Sequence, residues 1–263
     1  MRIAHASEHF DTLEIGFVHA VGLAARSGES QIVTLHVTQG RAEGRAPARP
    51  AELLERWGMG GARITHSLHE CPGHDEIADE LIAACEGLKP ELLVMATHAR
   101  TGLARVFAGS VAEAVARNVT VPSLLLPLES RGLIDPRSGA LALGHVLIAG
   151  GSQRDAQLGV DAAAWFVHAV GALKAQLSLL HVDDGSPTPS VTPPAGLHLD
   201  VRVRRGSLES AVTSLEHELH TNLVVMATHG HDQLRDVLMS SHTERVLHEA
   251  KLPLLWIPSS FVA

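Results

Sequence analysis

The sequence predicts an α/β protein made of two tandem doubly wound parallel sheets. Three observations carry this expectation. Four segments of the first half return in the same order in the second half. Short, almost wholly apolar runs of strand length alternate with stretches of helical spacing, as parallel strands covered on both faces require. The length, 263 residues, suits two domains of ordinary size.

The repeat comes first because it fixes the frame for the rest. Val18-His19-Ala20-Val21-Gly22 returns as Val167-His168-Ala169-Val170-Gly171, and Leu35-His36-Val37 as Leu180-His181-Val182. Val94-Met95-Ala96-Thr97-His98 returns as Val225-Met226-Ala227-Thr228-His229. Val121-Pro122-Ser123-Leu124-Leu125-Leu126-Pro127 matches Leu252-Pro253-Leu254-Leu255-Trp256-Ile257-Pro258. These matches divide the chain into unit 1 (residues 1–129), a linker (130–143) and unit 2 (144–263). The turn signal Asp135-Pro136-Arg137-Ser138-Gly139 lies inside the linker.

In order along the chain, strands are expected at Ile32–Val37, Leu92–Ala96 and Leu124–Leu126 in unit 1. Val146–Ala149, Leu177–Val182 and Leu223–Ala227 are their counterparts in unit 2. Asp75–Leu88 and Ser207–His220 show helical spacing. Unit 2 is shorter between its second and fourth strands. It is expected to lack a helix there and to carry the Pro-rich loop Ser186–Pro194 instead. The last strand of each unit is expected to contain Pro122 or Pro253, and proline favours sheet edges. An apolar edge such as Leu252–Ile257 invites pairing. The two last strands are therefore expected to meet around a pseudo-two-fold axis, making an intramolecular pseudo-dimer.

Composition excludes several classes. Formal net charge is −8, no dense Lys/Arg block exists, and aromatics are 3% with no Tyr. Nucleic acid therefore lacks both the phosphate attraction and the stacking surfaces it needs. No run of about 20 apolar residues predicts a membrane span, and the N-terminus has no signal-peptide core. Cys85 continues the apolar spacing of Ile77, Leu81 and Leu88, which predicts a buried thiol in a reduced, cytoplasmic protein.

The candidate chemistry sits after the fourth strand. Ser110 and Glu113 form a Ser-x-x-Glu capping box, repeated as Ser241 and Glu244. Each helix start would lie at the carboxyl end of a sheet, where free N–H groups and the helix dipole favour an anion. Arg100 and Arg105 are near the first and His231 and Arg235 near the second.

With these residues in place, the chain resembles a tandem member of the universal stress protein family over nearly its whole length. The resemblance implies an adenine nucleotide alpha hydrolase-like fold in each unit, with five parallel strands in the order 3-2-1-4-5, a stress-response role and, in nucleotide-binding members, Gly-x2-Gly-x9-Gly-(Ser/Thr) after the fourth strand. In unit 1 those positions hold Ala96, Ala99, Gly109 and Ser110; in unit 2 they hold Ala227, Gly230, Ser240 and Ser241. The Asp that such members carry at the end of the first strand is matched here to His5 and to Gly150, the latter in Gly150-Gly151-Ser152. The candidate nucleotide-binding positions are therefore Val37, Ala96, His98, Ala99, Arg100, Gly109 and Ser110 in unit 1. In unit 2 they are Gly151, Ser152, Val182, Ala227, Gly230, Ser240 and Ser241. ATP with Mg²⁺, or another small anionic metabolite, is the expected ligand. An alanine forced into a left-handed conformation costs about 1–2 kcal/mol, so the glycine losses weaken the motif. The alternative expectation is a partner-binding protein with both pockets vestigial, acting as a monomer with internal two-fold symmetry or as a homodimer.

Eighteen histidines raise a third possibility, zinc. The densest group is His66, His69, Cys71 and His74, whose residue types suit a tetrahedral ion. If Arg63–Glu70 is a strand, however, His66 and His69 point to opposite faces. His217 and His220 are expected to face solvent on a helix. No Gly-x-Ser-x-Gly elbow, phosphate-loop lysine motif or His-Glu-x-x-His helix is present in the sequence. Enzymatic activity is not expected beyond slow ATP hydrolysis.

Overall fold

The structure is a computed structural model and describes residues 1–7, 13–37, 48–71, 76–97, 111–227 and 251–262. Unit 1 contains β1 (Arg2–Ser7), α1 (Ile15–Ala24), β2 (Ser30–Val37), α2 (Pro50–Arg56) and β3 (Ile64–Cys71). It continues with α3 (Ile77–Leu88), β4 (Leu92–Thr97), α4 (Val111–Asn118) and β5 (Ser123–Pro127). Unit 2 contains β6 (His145–Ala149), α5 (Gln153–Ala169), β7 (Gln176–Val182) and β8 (Leu199–Arg204), then α6 (Leu208–Leu219), β9 (Leu223–Ala227) and β10 (Leu254–Ile257).

The strands join into one ten-stranded sheet, β3-β2-β1-β4-β5-β10-β9-β6-β7-β8. Each half reads 3-2-1-4-5 from its outer edge inward, as expected. Within each unit every pairing is parallel. The units meet where β10 runs antiparallel to β5, with Leu254 opposite Leu125, Leu255 opposite Leu124 and Trp256 opposite Ser123. The expected pairing of the last strands is present. Pro122 and Pro253 lie just before the strands rather than in them, so neither removes a ladder donor. What would be an edge in either unit alone becomes the centre of the molecule.

Two hydrophobic layers cover the sheet, and both run across the junction. One packs α1, α2 and α5 on one face and includes Leu124, Leu126, Leu255 and Ile257. The other packs α3, α4 and α6 on the opposite face and includes Leu125, Leu147, Leu254 and Trp256. The thiols of Cys71 and Cys85 are buried in this second layer, and burial pushes the Cys85 thiol up to about 12. Burial raises the Cys71 thiol as well, so both stay protonated at neutral pH.

The units differ where the sequence predicted. Unit 1 has α2 between its second and third strands; in unit 2 an extended Pro-rich segment replaces it. Two glutamines of α5 hold that segment by its backbone: Ser190 N–H donates to Gln153 Oε1 and Thr192 N–H donates to Gln157 Oε1, both at 2.8 Å. The side-chain amides of Gln153 and Gln157 donate back to the carbonyls of the same two residues. Residues four apart on a helix thus hold residues two apart on an irregular segment.

Residues 130–143 dock on unit 1. Leu133 and Ile134 are buried, and their N–H groups donate to His19 Nε2 at 2.7 and 3.2 Å. The His19 Nδ1–H donates to the Ile15 carbonyl at 2.7 Å, which fixes the tautomer. Trp57 Nε1–H donates to the Pro136 carbonyl. Arg26 donates to the Gly139 carbonyl.

Candidate functional site

In a doubly wound sheet the chain leaves two neighbouring strands towards opposite faces, and the gap beyond their carboxyl ends admits a ligand. In unit 1 those strands are β1, which leads to α1, and β4, which leads to α4 on the other face. In unit 2 they are β6 and β9.

Strand register decides which residues of the two units are equivalent, and it corrects one expectation. Ile3 pairs with Leu92 and Val146 with Leu223, the first residues of the repeated fourth strands. His5 therefore corresponds to Ile148, and Ser7 to Gly150. His5 does not occupy the position of Gly150, as the sequence reading had it; it lies two residues deeper, inside β1 and 1% exposed. The offset was invisible in sequence because β1 shares no identical residue run with β6.

At the unit 2 gap, Gly150 is followed by the exposed Gly151 and by Ser152, the N-cap of α5. Ser152 Oγ accepts from Asp155 N–H at 3.1 Å and donates to the Asp155 carboxylate at 3.0 Å. The Asp155 side chain is buried at this helix start, where the dipole favours a negative group. A Cβ at Gly150 would lie 2.7 Å from both the N and the Cα of Ala156, whereas one at Gly151 would meet nothing within 4 Å. Gly150→Ala is therefore expected to destabilise the protein by about 2 kcal/mol or more, since backbone must shift. Gly151→Ala should leave stability unchanged. Urea midpoints of the two variants check this pair.

At the unit 1 gap the same level is polar. Ser7 Oγ donates to Glu14 Oε2 at 2.5 Å, and His36 Nδ1 is 3.2 Å from the Ser7 carbonyl. Ala96 is half-buried at the end of β4, and Thr97 accepts the Leu128 N–H through its carbonyl. Below this, His5 packs on Phe17 with ring centroids 5.6 Å apart; Phe17 also meets His66 at 5.7 Å. Thr34 Oγ1 and His66 Nε2 are hydrogen-bonded at 2.9 Å. Burial, and then the nearby His5, hold the His66 imidazole below the ordinary histidine range.

Of the expected site residues, the structure describes Val37, Ala96, Gly151, Ser152, Val182 and Ala227. All stand at carboxyl ends of strands or in the turn that follows one. His98, Ala99, Arg100, Gly109, Ser110, Gly230, Ser240 and Ser241 lie outside the described residues, as do Arg105, His231 and Arg235. Helix α4 opens at Val111 with Glu113 in its first turn, where the Ser-x-x-Glu spacing predicted a helix start. The expected zinc group is not gathered: on β3, His66 is half-buried and held by Thr34, His69 is exposed, and Cys71 is buried. His74 lies outside the described residues. Among the described residues no group of three His, Cys, Asp or Glu side chains is placed to hold a metal ion. His217 is exposed on α6 as expected, but His220 is the helix C-cap, with φ of 51°. Among the described residues, no helix is long and apolar enough to cross a membrane.

Fold and gaps together define a tandem doubly wound α/β protein whose two units share one sheet. The model of the universal stress protein family matches residues 11–127 and 191–258, more than half of the chain. The chain belongs to the universal stress protein family, and is thus a member of a stress-response family. A universal stress protein of Methanocaldococcus jannaschii is 34% identical over 107 residues, which are 40% of this chain and 56% of that protein. The chain spans about half the length of this curated relative. Among solved structures, a universal stress protein of Archaeoglobus fulgidus superposes with a TM-score of 0.65 at 17% identity, covering 98% of this chain and 96% of its own. A functionally unknown protein of Pseudomonas aeruginosa PAO1 gives 0.62 at 14% identity, covering 98% and 92%. At these identities the structural likeness speaks for the fold.

Proposed function

We propose that the chain is a stress-response binding protein, not an enzyme, that takes a small anionic metabolite at the strand-end gap of unit 2. An adenine nucleotide with Mg²⁺ is the first choice. The observation that carries this is the contrast between equivalent positions: unit 2 presents Gly150 and the exposed Gly151 where unit 1 begins with Ser7. In unit 1 the Ser7 hydroxyl is engaged by Glu14, a carboxylate facing the same gap. Each gap has a carboxylate at its helix start, Asp155 held by Ser152 in unit 2 and Glu14 held by Ser7 in unit 1; only unit 2 adds glycine backbone that a phosphate can approach closely, which favours it as the receptor.

Calorimetric titration with ATP and Mg²⁺ tests this. Saturable heat at micromolar to millimolar nucleotide is expected, lost in Gly230→Val and retained in Gly109→Val. ATP turnover in the same samples is expected to stay at the rate of buffer alone. No heat up to millimolar ATP would replace this reading with that of a partner-binding protein whose two gaps are both vestigial.

A further inference from the structure

The outermost strand of unit 2, β8, ends the ten-stranded sheet with an open edge. Leu177 N–H donates to the His198 carbonyl and Asp183 N–H to the Arg204 carbonyl, so even-numbered residues of β8 turn their backbone polar groups to β7. Leu199, Val201 and Val203 alternate with them and turn theirs outward. The side chains of Val201 and Val203 are 46% and 47% exposed, in line with Leu199 on the α5 face of the sheet. An apolar edge of this kind is a template for a further strand.

The equivalent edge of unit 1 is protected. His66 stands opposite Ile32 where Leu199 stands opposite Leu177, so Leu68 corresponds to Val201 and Glu70 to Val203. Leu68 is half-buried and shares a groove with Leu54 of α2, and Glu70 puts an exposed charge where unit 2 has valine. Unit 2 has no helix between β7 and β8, and its Pro-rich segment is fastened to α5 instead. The arginines of β8 do not cover the edge: Arg202 and Arg204 lie on the opposite face, where both pair with Glu218 of α6. Arg204 also donates to the outward carbonyl of Val203 at 3.1 Å, a bond that an added strand would replace.

The order of residues along β8 is complementary to itself. When a second β8 lies antiparallel beside the first with Val201 opposite its own copy, Leu199 faces Val203 and Asp200 faces Arg202, each twice. The outward backbone groups of Leu199, Val201 and Val203 then meet in hydrogen-bonded pairs, about six bonds in all. Asp200 and Arg202 fall in the closer, non-hydrogen-bonded pairs, where opposite charges favour the pairing. Sliding the copy by two residues sets Arg202 against Arg202 in one direction and Asp200 against Asp200 in the other, and like charges directly opposite destabilise. The end pair, Arg204 with the exposed His198, contributes little. We propose that β8 is the interface of a homodimer, in which two chains join their sheets edge to edge around a two-fold axis at Val201. A pairing confined to residues 199–203 is short, so the dimer is weak and reversible.

Sedimentation equilibrium of the full chain over a concentration series tests this, with urea denaturation of dilute protein as the control for folding. A reversible monomer–dimer step between micromolar and millimolar chain is expected. Val203→Glu installs the residue that unit 1 carries at this place, and is expected to raise the dissociation constant at least ten-fold with the urea midpoint unchanged. Val201→Cys sets two thiols on the axis with Cα atoms about 5.5 Å apart, within disulfide reach. Under mild oxidation it is expected to form covalent dimers faster than Val203→Cys, whose thiol faces Leu199. The proposal is overturned if the wild-type chain is monomeric at millimolar concentration, which would leave the edge to a strand of an unlike protein. It is equally overturned if Val203→Glu dimerises as before, or if the two cysteine variants link at the same rate. None of these readouts involves nucleotide, so failure here leaves the anion reading of unit 2 standing.

Discussion

Replacing His19 by alanine is expected to destabilise the protein by about 4 kcal/mol, in urea denaturation at pH 7. The imidazole accepts the N–H groups of Leu133 and Ile134 and donates to the Ile15 carbonyl. Alanine would leave two buried donors without an acceptor, at about 1–3 kcal/mol each, and a cavity where the ring stood. The ring sits against Gly132, where a Cβ would come within 2.5 Å of it, so Gly132 has no side chain to fill the gap. The same geometry sets a pH dependence. Burial lowers the His19 pKa from 6.5 to about 4, only partly offset by the bond to Ile15. A protonated Nε2 would point a third donor at two others. The unfolded chain therefore binds a proton between pH 6.5 and about 4 that the folded chain refuses, and stability falls as pH is lowered through that window. With 1.36 kcal/mol per unit of pKa difference, the loss by pH 4 is about 3 kcal/mol. His19→Ala should lose this slope; an unchanged slope in the variant would assign it to other groups.

Substituting Leu255 by aspartate is expected to have an effect of at least the same size, at the other critical place. Leu255 and its partner Leu124 are 0% exposed at the junction of the units, in the middle of the ten-stranded sheet. Burial of each such leucine contributes about 1.5–3 kcal/mol. An unpaired carboxylate there adds the cost of a desolvated charge, so the β5–β10 pairing should fail. Small-angle scattering is the direct measurement. A compact chain of this length has a radius of gyration near 18 Å by size scaling, about 2.2·N^0.38 Å. The variant should exceed that value clearly, whether the units swing apart or unfold. A radius unchanged from wild type, with an unchanged urea midpoint, would mean that this pairing is not what joins the units.

Much of this architecture was legible because it is written in local, repeated signals. Apolar runs such as Leu92–Ala96 and Leu223–Ala227 announce strands buried on both faces, and the ordered repeat announces that each unit has the same topology. The junction was legible too, since Leu252–Ile257 is too apolar to be left unpaired. Strands β3 and β8 were harder to read because they are the outermost strands and carry polar residues at alternate positions. The candidate site was legible only in part. The Gly150-Gly151-Ser152 turn shows itself through its glycines, whereas the unit 1 equivalent has no such signal, so matching by sequence places His5 two residues out of register. Register depends on which backbone groups pair across strands far apart in sequence, and a short strand with few identical residues does not reveal it. The open edge of β8 was missed for the same reason; comparing Val203 with Glu70 requires the register first.

The two repeated histidines divide what the sequence determined from what it did not. Val18-His19-Ala20-Val21-Gly22 and Val167-His168-Ala169-Val170-Gly171 are identical, and in both the Nδ1–H donates to the carbonyl four residues back, at 2.7 Å. That bond is set by the helical period, so the sequence alone determines it, as it determines the strands, the helices and the twofold repetition. Yet His168 is exposed, while His19 is 1% exposed and holds a segment 114 residues further along the chain. Only the tertiary structure decides which of two identical imidazoles is desolvated. Burial is a property of what packs against a residue, and the connecting segment between the units packs against only one of them.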